Sequence, residues 1–401
     1  MRMLVVGQWF PWPPDRGARM RFANTIKALS TIGEVDLFVA RRDRGSPQGS
    51  PEDATIRRLS VVDFPGAHRS AGQRLRWLVR PSLPLKVGGR DFSSVRRALA
   101  SFIRGEHYDL VWVSRIEAFV AAEPLLTAPT IVDIDDLNDL LNIRRLETPR
   151  NAGPRSSADL AASLVARHEA RAWAGLQKKV AASVRAVCVC SESDRRHLDV
   201  PNARVVPNGY DRPDPPLGKV SVGDPPTILF PGRLSYRPNI DGASYLATQI
   251  GPLLRDRIPD AQVRLVGHAP ESVLSKLSSP PEVIATGWVS RMEDELERAD
   301  VLAVPIRYGG GTRIKILEGF AHRIPVVSTS QGAYGLDVED GRHLLIADTA
   351  DGFANACAEL CLDEERRRAL SDNAQSLFLE RYEWSTIGRT IREMARQVAD
   401  S

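Results

Sequence analysis

Short apolar runs rich in β-branched residues recur along the chain and alternate with longer amphipathic stretches. Met3–Val6, Val35–Val39, Leu59–Phe64, Leu110–Val113, Thr130–Ile134 and Ala186–Val189 read as strands, and the near absence of polar alternation says both sheet faces are covered. Ala18–Ser30 and Val95–Ile103 read as helices between them, a βαβ succession. The span Ser156–Val184 brings Leu160, Leu164, His168, Ala172 and Leu176 to helical spacing, which makes His168 part of a structural face. ARVVPNGYD then closes this half with a strand and an Asn-Gly turn.

Arg212–Pro226, RPDPPLGKVSVGDPP, holds too much proline and glycine for a core element and reads as a linker. The alternation restarts with strand Thr227–Phe230 and helix Gly242–Arg257, then strands Val263–Val266, Val283–Ala285, Val301–Ile306 and Pro325–Thr329. The pattern divides the chain into an α/β domain over residues 1–211, a linker over 212–226 and a second α/β domain over 227–384. Length agrees, since 401 residues with 43% apolar content exceed what one core organises.

Cys188 and Cys190 share one face of a strand, and Cys357 and Cys361 lie one helical turn apart. All four are expected as buried thiols rather than disulfides or metal ligands, which implies a cytoplasmic setting. The opening MRMLVVG leads into a strand, neither a secretory signal nor a membrane span, and no other stretch reads as a transmembrane helix. The net charge of +4 is unevenly shared: residues 1–210 carry 32 Lys+Arg against 22 Asp+Glu, leaving 22 and 28 of the chain's 54 and 50. No nucleic-acid motif accompanies the basic half, so nucleic acid is set aside, and most of these arginines read as solvated helix faces.

The densest chemistry lies in VLAVPIRYGGGTRIKILEGFAHRIPVVST, Val301 to Thr329, a strand, a glycine turn and a helix. Gly309, Gly310 and Gly311 with Thr312 at the N-cap leave free backbone N–H groups for an anion, and Lys315 and Glu318 share one helix face nearby. Phosphate suits the N–H groups and the cation, hydroxyls suit the carboxylate, and a sugar nucleotide offers both. The plain alternative is a turn followed by an exposed ion pair. Elsewhere, strand Thr130–Ile134 runs into Asp133, Asp135 and Asp136, placed either for chemistry or, like Asp139, to cap the next helix. Arg115, after LVWVS, is either an acceptor contact or a surface arginine, and PPDRG before helix Ala18–Ser30 is either a functional loop at Gly17 or a plain turn.

GGGTRIKILE, with PNGYD, PGRLSYRPNID, VRLVG, TGWV and VVST around it, resembles glycosyltransferase family 4, strongly over the second half of the chain and weakly over the first. The resemblance implies the GT-B fold, two Rossmann-like domains facing across a cleft, with a final helix over 385–401 packing back on the first domain. It also implies retaining transfer from a nucleotide diphosphate sugar, without a cofactor or metal. By that resemblance Glu318 holds the ribose, Arg233 and Lys315 hold the diphosphate and act catalytically, and Arg313 with the glycine turn lines the donor. Where relatives carry another lysine this chain has Pro238, with Arg237 as the substitute. Gly287, Trp288 and Val289 read the base, Asn208 and Gly209 line the cleft, and Gly17 belongs to a loop over donor and acceptor. Asp135 or Asp133 stands where many relatives have an acceptor-facing histidine, so Asp135 is the catalytic candidate, with Asp136 and Arg115 beside it. The family places a further glutamate where this chain has Gly310, which leaves the donor sugar open.

Two rival readings remain, a noncatalytic sugar-nucleotide or glycan-binding protein and a GT-B nucleotide-sugar epimerase. The expected acceptor is a glycan, a lipid-linked sugar or a small molecule. Between Arg69 and Arg104, arginines interleave with Trp77 and leucines, which suits peripheral contact at the inner face of a membrane.

Overall fold

The computed structural model describes residues 1–15, 17–42, 54–67, 83–147, 157–217, 225–309 and 314–401. The chain forms two compact units, one of Met1–Asn208 with Ile387–Ser401 and one of Gly209–Thr386.

In the first unit, β1 (Arg2–Gly7), β2 (Glu34–Arg41), β3 (Ile56–Asp63), β4 (Leu110–Ser114), β5 (Thr130–Asp135), β6 (Ala186–Val189) and β7 (Ala203–Val205) make one sheet. Its order is β3-β2-β1-β4-β5-β6-β7, with all pairings parallel. The central strands are buried along nearly their whole length, as their unbroken apolar runs require. The core packs Phe38, Val113 and Val132 against Trp173 and Val180 of the helix Ser157–Ser183. Leu160 and Leu164 of that helix are 57% and 52% exposed, so the helical spacing read as a core face continues beyond the core. The helix Trp384–Ala399 contributes Met394 to this unit, where Cys188 Sγ lies 3.8 Å from Met394 Sδ. All four cysteines are buried and unpaired with one another.

In the second unit, β8 (Thr227–Pro231), β9 (Gln262–Val266), β10 (Val283–Gly287), β11 (Val301–Val304), β12 (Val326–Ser328) and β13 (Leu345–Ile346) form a parallel sheet ordered β10-β9-β8-β11-β12-β13. Phe230, Phe320, Phe353 and Phe378 are fully buried around it. Each unit thus starts from a central strand and winds outward both ways, so strand order reverses between β1 and β4 and between β8 and β11. In open parallel sheets the carboxyl ends of the strands at such a reversal are where ligands bind.

Two local features differ from the sequence pattern. The helix after β8 begins at Arg237, with Pro238 in its first turn, five residues before the expected Gly242. Proline lacks an N–H that this turn could not have used and is pre-set for helical φ. The boundary between the units also falls earlier than expected, because residues 209–211, assigned by the sequence to the first domain, belong to the second unit. Tyr210 N donates to Tyr382 O at 3.0 Å, and Trp384 N donates back to Tyr210 O at 3.2 Å. The linker residues 218–224 lie outside the described residues.

Candidate active site

At the switch point of the second unit, glycines clear the backbone. Gly232 and Gly267 hold φ of +155° and +149°, and a Cβ on Gly267 would stand 1.9 Å from Gly232 O, so the loops after β8 and β9 touch through bare backbone. A Cβ on Gly232 would in turn meet Lys315 Nζ at 2.8 Å. The Lys315 amine therefore rests directly over the turn that ends β8. It donates to Asn239 Oδ1 at 2.9 Å and lies 4.5 Å from the centre of the Phe230 ring. Asn239 Nδ2 donates to Arg233 O at 3.0 Å, which ties the Arg233 backbone to the same cluster. The Arg233 side chain is exposed, with Nε on Ser235 Oγ at 3.1 Å. Arg237 is exposed one turn onward.

Glu318, on the helix Ile314–Ala321, accepts a hydrogen bond from the Tyr210 hydroxyl at 3.1 Å. Burial pushes its carboxyl up to about 7, against the opposing pull of Tyr210 and Lys315. Gly309 is buried with φ +109°, and its carbonyl accepts from Gln331 Nε2 at 3.0 Å. Gly310, Gly311, Thr312 and Arg313 lie outside the described residues. At the end of β10, Gly287 is buried with φ +73°, and beyond it Val289 is half-buried and Trp288 is 72% exposed.

The carboxylates of the first unit have inward-facing partners. Arg21, 2% exposed on the helix Gly17–Ser30, clamps both oxygens of Asp133 at 2.8 Å. Its remaining nitrogen donates to Val206 O at 2.8 Å and Pro207 O at 3.0 Å, so one buried guanidinium ties β5 to the chain leaving β7. Asp135 sits at a register shift in β5 with φ +61°, which turns it toward Arg115, 2.6 Å away and itself at φ +81°. Asp135 also accepts from Cys190 Sγ at 3.1 Å and Asn208 Nδ2 at 3.2 Å. Burial opposes its charge, yet Arg115 and Arg21 hold it below the ordinary carboxylate range. Asp139 is bound by Gln177 and His197.

Asp136 is half-buried at the rim of a cavity of about 270 Å³ at the β1/β4 crevice. Gln8, Trp9, Arg19, Lys86 and Arg115 line it too, and Gly17 opens the helix that forms one wall. Arg74, Arg76, Trp77 and Arg80 of the basic, apolar stretch lie outside the described residues. Among the described residues there is no cluster of three or more His, Cys, Asp or Glu placed to hold a metal ion.

The sequence reading missed Asn239, Tyr210 and Arg21. Asn239 was visible as an amide one residue past Pro238, the expected basic position, but its bond to Lys315 spans 76 residues. Arg21 left no signal, being one arginine on an ordinary amphipathic helix.

Two Rossmann-like units with glycine-cleared switch points, the second carrying a lysine over its first turn, are the architecture of the GT-B fold. Residues 225–363, within the second unit, match the family model Glycosyl transferases group 1. The chain is 29% identical over 217 residues to a GDP-mannose-dependent α-(1-6)-phosphatidylinositol monomannoside mannosyltransferase of Mycobacterium tuberculosis. That match covers 48% of this chain and 55% of the mycobacterial protein, about half the relative's length. A sucrose-phosphate synthase from Thermosynechococcus elongatus superimposes with TM-score 0.68 at 17% identity, over 100% of both chains. HepE from Anabaena, solved with UDP-glucose, gives TM-score 0.62 at 17% identity, over 99% of this chain and 100% of that one. These likenesses establish the fold.

Proposed function

We propose that the protein is a retaining glycosyltransferase that moves a sugar from a nucleotide diphosphate sugar to an acceptor in glycan or glycolipid synthesis. The observation that carries this reading is the Lys315 amine seated over Gly232 and tied through Asn239 to Arg233. A diphosphate lying over that turn would meet two cations and unhindered backbone. In the reaction the bond from the anomeric carbon to the diphosphate oxygen breaks, a new one forms to an acceptor oxygen, and the acceptor hydroxyl's proton passes to the departing diphosphate. Charge then builds on the departing diphosphate, where Lys315 and Arg233 stabilise it without a metal. Glu318 accepts the ribose hydroxyls, and Trp288 and Val289 flank the base.

The acceptor belongs to the 270 Å³ cavity of the first unit. There Asp135 acts through Arg115, whose guanidinium it orients, and Asp136 faces the acceptor directly. A lipid-borne acceptor is supported by the phosphatidylinositol monomannoside in the mycobacterial relative's name. No described helix is long and apolar enough to cross a membrane, so on this reading the protein meets its lipid from the surface. Incubation with a panel including GDP-mannose and UDP-glucose, without acceptor, tests the reading. Slow release of free nucleotide supports the transferase, an isomerised donor would make it an epimerase, and binding without turnover would make it a noncatalytic receptor.

A further inference from the structure

The helix Ser157–Ser183 carries a row of side chains that the core does not use. Leu160 and Leu164 begin it, and at helical spacing it continues through the exposed Arg167, Arg171 and Lys178. From Leu160 to Lys178 the row runs about 27 Å along the helix axis, longer than a small ligand. Beside the three cations lies a cavity of about 420 Å³ with apolar walls from Ile143, Leu146, Ala170 and Leu198. The carboxylate on its lining, Asp139, is already bound by His197 Nε2 at 2.7 Å and Gln177 Nε2 at 2.8 Å. Among the described residues no carboxylate pairs with Arg167, Arg171 or Lys178.

Exposed leucines that lead into unneutralised cations above an apolar trough match a layered partner, anionic at its surface and hydrocarbon beneath. We propose that this face of the first unit docks on an anionic lipid bilayer, the leucines entering the acyl boundary and the cations meeting lipid phosphates. The proposal is separable from sugar transfer, because docking is read without donor or acceptor.

Cosedimentation of the full chain with phosphatidylglycerol–phosphatidylcholine vesicles, and with phosphatidylcholine alone, across a salt series tests it. Binding is expected to require the anionic lipid and to fade with salt. Each basic residue near such a surface contributes about a fivefold factor, so R167Q/R171Q should weaken binding on the order of twentyfold. L160S/L164S should weaken it about tenfold or more. Both pairs are exposed, so circular dichroism and nucleotide binding should match wild type. Absence of binding at low salt, equal binding to neutral vesicles, or wild-type binding by both double variants would overturn the proposal. So would a dimer in sedimentation velocity that L160S/L164S abolishes, because the face would then be occupied by a second copy.

Discussion

The Tyr210 hydroxyl donates to Glu318 at 3.1 Å, so a residue that the sequence assigned to the end of the first domain fixes the carboxylate assigned to the ribose. Glu318→Ala should weaken nucleoside diphosphate binding by roughly 1.5–3 kcal/mol with the fold retained, and calorimetric titration measures it. With its carboxyl raised to about 7, Glu318 is protonated below that pH in the free protein. Nucleotide affinity should therefore climb as pH rises through about 7 and level off above it. Glu318→Gln should remove this dependence, whereas Tyr210→Phe, by deleting a bond that favours the ionised form, should shift it to higher pH. Stability runs in the opposite sense. A raised carboxyl stabilises the fold at low pH and loses that contribution as pH rises from the ordinary 4.5 to about 7. Glu318→Gln should accordingly be more stable than wild type at pH 8, by at most about 3 kcal/mol. Identical melting curves there would remove the burial argument.

Lys315→Ala and Arg233→Ala should each lower kcat by about a hundredfold, beyond any loss of donor affinity, because the charge they meet grows toward the transition state. Asn239→Ala should do the same more weakly, since it orients both. Turnover that falls only in step with donor binding would make these residues binding groups.

Gly232→Ala places a methyl where the Lys315 amine now lies, at a backbone angle that disfavours side chains. Diphosphate affinity should drop about tenfold while the protein still folds, because the lysine end can swing aside. Unchanged affinity would separate Lys315 from the diphosphate.

Asp135→Asn keeps the size of the side chain but removes the charge facing Arg115. On the positioning role argued above, acceptor KM should rise about tenfold with donor KM unchanged, and steady-state kinetics varying each substrate decides it. Equal effects on both substrates would point to general disturbance of the unit.

Arg21→Met leaves Asp133 charged and buried and strips donors from Val206 and Pro207. Breaking one side of such a pair costs roughly 3–5 kcal/mol, which denaturant unfolding of the variant should show. A loss under about 1 kcal/mol would mean that water or another group takes over the guanidinium's role.

The sequence alone determined the strands and the two-domain α/β class, because a buried parallel strand must be apolar on both faces and Val111, Val132 or Leu229 have no other reading at that density. It also marked Lys315, Glu318, Arg233 and the aspartates at the end of β5, since charges and glycines at strand ends are conspicuous against those runs. What only the tertiary structure decided is which partner each charge meets. Asp133 and Asp135 are two residues apart in sequence, yet one is clamped by Arg21 and the other by Arg115, because a register shift and a positive φ turn them to different neighbours. Tyr210 reaches Glu318 across 108 residues, and Asn239 reaches Lys315 across 76. Local spacing constrains only residues within a turn or a strand, so contacts that depend on how β8 and β11 come to lie side by side carry no trace in it. The exposed leucines of the helix Ser157–Ser183 show the same limit, since spacing says which residues share a face and only packing says whether that face is covered.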